Sequence, residues 1–149
     1  SKGSLTTAIK TVAAMTNQAG KRIGWQLRYL LIPIDLIDTA YEITASEKVP
    51  GSSNNEPNFI RSRWGIPTEN VIVVPQFTDT NNWYALADPS EIAIIEVGFV
   101  LGREEPEILV QDAENTGTVF THDTMMFKVR HEYGMGVLDY RGSYGAIVP

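Results

Sequence analysis

Hydrophobic positions along residues 5–15 fall at spacings of mostly three and four: Leu5, Ala8, Ile9, Val12, Ala13 and Met15. That period gathers them on one side of a helix. Ser4 stands before them as the predicted N-cap, and Gly20, after Asn17-Gln18-Ala19, as the left-handed residue that ends the turn. Residues 23–32 hold Trp25, Leu27, Tyr29, Leu30 and Leu31, a strand expected to be buried on both faces near its end and stopped by Pro33. From Asp35 to Ser46 the period is helical again, with Leu36, Ile37, Ala40, Tyr41, Ile43 and Thr44 in one stripe. Asp35 sits where negative charge meets the positive end of a helix dipole. Residues 48–63 contain Val-Pro-Gly-Ser-Ser-Asn-Asn-Glu-Pro-Asn-Phe and read as a loop. A loop this long in a compact domain is functional or disordered. Strands are expected at 71–74, 83–87, 92–101 (with Gly98 as a bulge) and 107–111. Turns fall at Asp79-Thr80-Asn81-Asn82, at 102–105 and at 112–118.

The last stretch, residues 124–148, carries the clearest pattern. Met125, Phe127, Val129, His131 and Tyr133 alternate with Thr124, Met126, Lys128, Arg130 and Glu132, the period-two signature of a half-buried strand. After Gly134-Met135-Gly136 the apolar parity switches to Leu138 and Tyr140. A one-residue shift flips every side chain, so a bend in one long strand, or a hairpin turning at the glycines, is predicted there. Lys128, Arg130 and Glu132 share the polar face and are followed by Asp139 and Arg141. Mixed signs on a strand suit ion pairs across strands or to a neighbouring chain, so these five are a candidate subunit interface or, equally, a solvated face. The whole reads as two early helices and six or seven strands, an α+β pattern.

Composition narrows the function classes. With 149 residues, 43% hydrophobic and 20% charged, the chain matches an ordinary folded protein, long enough for one core with an attached lobe. A net charge of −6 argues against a nucleic-acid groove, which needs clustered positive charge. No cysteine is present, which removes disulfides, thiolate metal sites and a cysteine nucleophile. The apolar runs at 29–34 and 92–101 are too short for a membrane span, which needs about 20 residues. The opening SKGSLTTAIK lacks a signal-peptide core and runs straight into a helix, so the chain is expected to be a piece of a longer one.

Catalytic chemistry finds little support. His122-Asp123 is the one His–Asp doublet and His131 the other histidine, yet no G-x-S-x-G elbow accompanies Ser4, Ser46, Ser52, Ser53, Ser62, Ser90 or Ser143. A small hydrolase using His122 or His131 is the enzymatic rival. His131 and Glu132 point to opposite faces of a strand and cannot chelate one ion. Glu104-Glu105-Pro106-Glu107, with Asp112 and Glu114, lacks the calcium-loop pattern and reads as a solvated acidic turn. The run GMGVLDYRG does not open a helix, as a dinucleotide fingerprint must. Trp25, Trp64 and Trp83 are assigned to core packing. No catalytic, cofactor or metal site is predicted.

The order of the motifs resembles the C-terminal part of tailed-bacteriophage major capsid proteins of the HK97 type, including Mu-like head subunits. It lies in the helix at 5–15, Tyr29-Leu30-Leu31-Ile32-Pro33, the helix at 35–46, Trp64-Gly65-Ile66-Pro67, the strand running to Asp88-Pro89, Val129-Arg130-His131-Glu132 and Asp139-Tyr140-Arg141. The resemblance covers nearly the whole chain. It implies an HK97-like capsid-fold fragment, a central sheet flanked by two helices plus a long C-terminal strand. Residues 1–123 would be axial-domain-like, and 124–149 a strand returning to the peripheral-domain-like region. The implied function is that of a structural head subunit of a phage or prophage, not an enzyme, which self-associates into pentamers and hexamers of an icosahedral shell. Partners would be its own copies, with a scaffold or maturation protease, and neither a membrane nor a specific nucleic acid. It would reside in the virion after assembly in the host cytoplasm. The rival within the virion is a tail-tube or head-completion protein. The upstream arm, hairpin loop and spine helix of such proteins would precede this segment, so the lysine–asparagine cross-link of one branch cannot be assigned.

Overall fold

The computed structural model of the protein describes residues 1–49, 51, 56–113, 117–122 and 124–148. Parts of the 48–63 loop (with Ser52 and Ser53), Glu114 to Thr116 of the polar turn, and Asp123 of the His–Asp doublet lie outside the described residues. The chain forms two compact units, Ser1–Ile94 with Leu138–Pro149, and Ile95–Val137.

Helix α1 (Lys2–Ala13) begins earlier than the sequence predicts. Ser1, not Ser4, is the N-cap, its Oγ accepting from the Ser4 N–H at 3.3 Å. Both serines meet the capping rule, and using the first adds most of a turn to a short helix. Leu5, Ala8, Ile9 and Val12 form the buried stripe. The helix stops before Met15 because the chain folds back through Asn17, whose Oδ1 accepts from the Ala19 and Lys21 N–H groups, both at 3.0 Å. Gly20 takes the predicted left-handed conformation in that turn, φ 77°.

A four-stranded sheet forms the centre of this unit, in the order β2 (Val71–Val73), β1 (Leu27–Ile32), β3 (Trp83–Ala87) and β8 (Ser143–Ala146). The β1–β2 pair is parallel and the other two pairs antiparallel. The register of β1 against β3 shifts between Leu27 and Tyr29. That irregularity at Arg28 lets Leu27, opposite Ala87, join Leu30 and Ile32 among the buried residues despite the odd spacing. One face of the sheet is therefore core, and the predicted burial on both faces reduces to half-burial of Tyr29 and Leu31.

Helix α2 (Ile37–Ala45) follows a single 3-10 turn, Ile34–Leu36. Ala40, Ile43 and Thr44 are buried and Leu36 packs against them, but Ile37 and Tyr41, expected in the same stripe, are exposed. The 3-10 turn delays the α-helix and leaves an apolar face narrower than the sequence suggests. Leu5 of α1 and Ala40 and Ile43 of α2 surround Leu30, Ile32 and Trp83, so both helices cover the same face of the sheet. Trp25 and Trp83 are buried as predicted, whereas Trp64 is 46% exposed. The chain after α2 is stitched back by Asn58, a buried polar residue. Its Nδ2 donates to the carbonyls of Ile43 at 2.6 Å and Ser46 at 2.9 Å, satisfying the helix end.

The second unit consists of two antiparallel ribbons. Strand β4 (Ile95–Phe99) pairs with β7 (Tyr133–Val137), and β5 (Glu107–Gln111) with β6 (Met126–Arg130). Gly98 is no bulge; it sits opposite Gly134 in unbroken register. A short helix α3, Gly117–His122, replaces the end of the predicted polar turn. The final stretch is not one bent strand. It breaks at His131 and Glu132, while Gly134 and Gly136 lie inside β7 and form no hairpin. The break follows from its partners: opposite those two residues the other strand departs for seven, 100–106, turning through left-handed Leu101 (φ 56°) and Gly102 (φ 69°). A second break, the 3-10 turn Tyr140–Gly142, precedes β8.

Candidate assembly surface

Strand alternation gives each ribbon one wholly apolar face. On β5–β6 the facing pairs are Ile108 with Val129 and Val110 with Phe127. On β4–β7 they are Ile95 with Val137, Val97 with Met135 and Phe99 with Tyr133. Among the described residues these faces have no cover: Phe127 is 69% exposed, Val129 66% and Val137 73%. The expected half-burial of Phe127 and Val129 is thus corrected, because among the described residues no second layer packs on the ribbon. A two-stranded ribbon is marginally stable in water, and a contiguous exposed apolar patch marks a surface that meets another protein surface. The second face of β4–β7 carries Gly98, Gly134 and Gly136 with Glu96, and so has almost no side-chain relief.

The five charged residues singled out in the sequence divide between the two units. In the ribbons, Lys128 stands opposite Leu109 and Arg130 opposite Glu107. Glu107 Oε2 accepts from Arg130 Nη2 and Arg103 Nη1, both at 2.6 Å. The hydrogen bond from Arg130 leads the causes that hold the Glu107 carboxyl below the usual carboxylate range. Glu132 lies in the break after β6, so the predicted same-face run of Lys128, Arg130 and Glu132 ends at Arg130; the Glu132 carbonyl accepts from Val100 N–H at 3.2 Å.

In the sheet unit, Asp139 and Arg141 form a clamp. Arg141 Nε donates to both Asp139 oxygens, at 2.9 and 3.0 Å, and the Arg141 N–H donates to Oδ1, capping the turn. The guanidinium lies over Trp25, 5.4 Å from the ring centroid. Hydrogen bonds from the Arg141 side chain, then from its backbone, lower the Asp139 carboxyl.

His131 stacks on Phe99 at 5.8 Å and tilts against Tyr133 at 5.0 Å, extending the apolar face of β4–β7. Its Nε2 lies 3.2 Å from the Glu104 carbonyl oxygen. His122 Nδ1 pairs with Thr121 Oγ1 at 2.7 Å. Neither histidine bonds to a serine among the described residues, and no group of three acidic or histidine side chains there could hold a metal ion. The sequence marks strands at 92–101 and 107–111 but not the continuous apolar faces these strands build with β6 and β7, because those faces exist only once the strands pair.

The model of a family described as phage capsid protein matches residues 2–146. The chain belongs to this phage capsid family. The family is structural, and its members are components of the virion, which accords with an α+β capsid-fold fragment. No curated protein and no solved structure matches the chain. Among the described residues no helix of this capsid chain is long and apolar enough to cross a membrane.

Proposed function

We propose that this capsid chain is part of a major head subunit of a phage or prophage, of the HK97 type and similar to Mu-like head proteins. Its copies associate into the pentamers and hexamers of an icosahedral shell, with a scaffold or maturation protease assisting in the host cytoplasm. The observation that carries the reading is the pair of uncovered apolar ribbon faces, Ile108/Val110/Phe127/Val129 and Ile95/Val97/Met135/Val137. A shell subunit needs surfaces, not a reaction centre, and such faces are where binding energy concentrates. In this proposal the sheet unit is axial-domain-like and residues 95–137 form the peripheral-like excursion. The pairing of β8 with β3 supports this division over one at 123/124. Lys128, Arg130 and Glu132 set register against a neighbour, while Asp139 and Arg141 hold the turn that presents Tyr140, 73% exposed.

Electron microscopy and sedimentation of the full-length subunit, expressed with its scaffold and protease, test the reading. Rings, tubes or shells are expected, and a Phe127→Asp/Val129→Asp variant should remain folded by circular dichroism yet stay unassembled. Folded wild-type protein that remains monomeric would sink the proposal.

A further inference from the structure

A feature of the sheet unit lies apart from the ribbons and the clamp. Between the end of α2 and the segment 60–69 opens a cleft of about 520 Å³. Thr44, Ile60 and Ile66, all buried, form its base, and three arginines, Arg28, Arg61 and Arg63, line it. Two of them are placed by a specific local feature. Arg28 sits at the register shift of β1, and its Nη1 donates to the Arg63 carbonyl at 3.4 Å. Arg61 Nη1 donates to the Ala45 carbonyl at 3.1 Å and pairs with Glu47 at 3.2 Å. Gly65 closes the wall, since a Cβ there would lie 1.6 Å from the Ile60 carbonyl oxygen. Three guanidinium groups against Glu47 and Glu69 make a positive recess in a chain of net charge −6. Tyr41, 64% exposed, also lines it. Exposed tyrosine and arginine around a cleft is the composition of an interface hot spot.

The chain itself supplies a ligand of matching charge. Glu104 and Glu105 are the only adjacent acidic residues in the sequence. Both are exposed, and neither carboxylate has a partner among the described residues. The turn carrying them is fixed on one side by Glu107, held by Arg103 and Arg130, and by the His131 contact to the Glu104 carbonyl. A fixed turn loses little entropy on binding. We infer that the arginine-lined cleft of one subunit receives the Glu104-Glu105 turn of a second copy. Cleft and turn are different patches, so the contact is heterologous and joins copies head to tail, the kind that closes into rings. The inference rests on the assembly reading above and names one contact within it. Charge pairs of this kind fix partner and register, and guanidinium–carboxylate bonds are the strong, directional form.

Charge reversal tests it in the full-length subunit with its scaffold and protease, read by sedimentation velocity and electron microscopy. Arg63→Glu and Glu105→Arg should each raise the protein concentration needed for assembly by about tenfold or more, with unchanged thermal melts, since both side chains are exposed. The double variant should assemble again. An equal mixture of the two single variants should also assemble into six-membered rings, because alternation around an even ring sets an acidic cleft on a basic turn or a basic cleft on an acidic one at every contact. Single variants that assemble like wild type overturn the inference and leave the assembly reading standing. Loss in Arg63→Glu that neither the double variant nor the mixture rescues also overturns it, and assigns the cleft to another acidic partner. Wild-type protein that never assembles removes both.

Discussion

Asn58 shows how much one side chain outside any regular element can hold. Its amide donates to two carbonyls at the end of α2, and its Oδ1 accepts from the Ile60 N–H at 3.1 Å, all at a buried site. Asn58→Ala orphans those groups and should destabilise the chain by about 1–3 kcal/mol in denaturant titration; an unchanged midpoint would refute the stitching role. Gly65 has a similarly exact demand, the 1.6 Å clash of an added Cβ with backbone. Gly65→Ala should cost about 1–3 kcal/mol because the backbone around Ile60 must shift. Asp139 is a pH-dependent case. Its folded-state carboxyl lies below the ordinary 3.8, so the stability it contributes is present above that value and is lost as pH falls through the lowered one. At neutral pH Asp139→Asn should melt below wild type, and the gap should close as pH falls below 3.8. A gap that persists unchanged into acid would show that proton linkage at Asp139 is not its source.

The elements differ sharply in what supports them. β1 and β3 bury Leu27, Leu30, Ile32, Trp83, Ala85 and Ala87 beneath two helices, whereas β4 to β7 have only a ribbon partner each. Local opening energy follows buried apolar contact, so in the unassembled chain the ribbon amides should exchange with solvent faster than those of β1 and β3 by about two orders of magnitude or more. On assembly the ribbon amides should slow and the sheet amides change little. Equal protection of both in the unassembled chain would mean that the ribbon faces are already covered, removing the main support for their role as contacts. Much of this element structure is legible in the sequence: β3 and β5 match the expected strands residue for residue, and β2 to within one. The break at His131 was not, because the parity switch records that a strand changes course without recording where its partner turns. Burial was misread for the same reason: alternation in Phe127 and Val129 fixes a face, while only packing decides what lies against it.

At the scale of the molecule, the acidic chain concentrates its exposed apolar surface in residues 95–137 and an arginine-rich recess in the sheet unit. Hydrophobic and charged contacts respond oppositely to salt: screening weakens exposed ion pairs, while apolar burial persists. If both kinds of surface join subunits, moderate sodium chloride should slow assembly and raise its threshold without abolishing it. Turbidity or light scattering against salt concentration checks this; assembly indifferent to salt would argue against the arginine cleft and leave the ribbon faces.

From residue order alone come the α+β class, the α1 stripe, most strands, the absence of thiol chemistry and the resemblance to capsid proteins. These depend on local period and residue order, which a one-dimensional chain records directly. Tertiary structure alone decided that Trp64, Tyr41 and the ribbon faces are exposed, that Arg130 and Arg141 are engaged by Glu107 and Asp139, and that Arg28, Arg61 and Arg63 share a cleft. Those facts depend on which distant segments meet: residue 28 reaches residue 63 only because a shift in strand register and a folded-back loop bring them together.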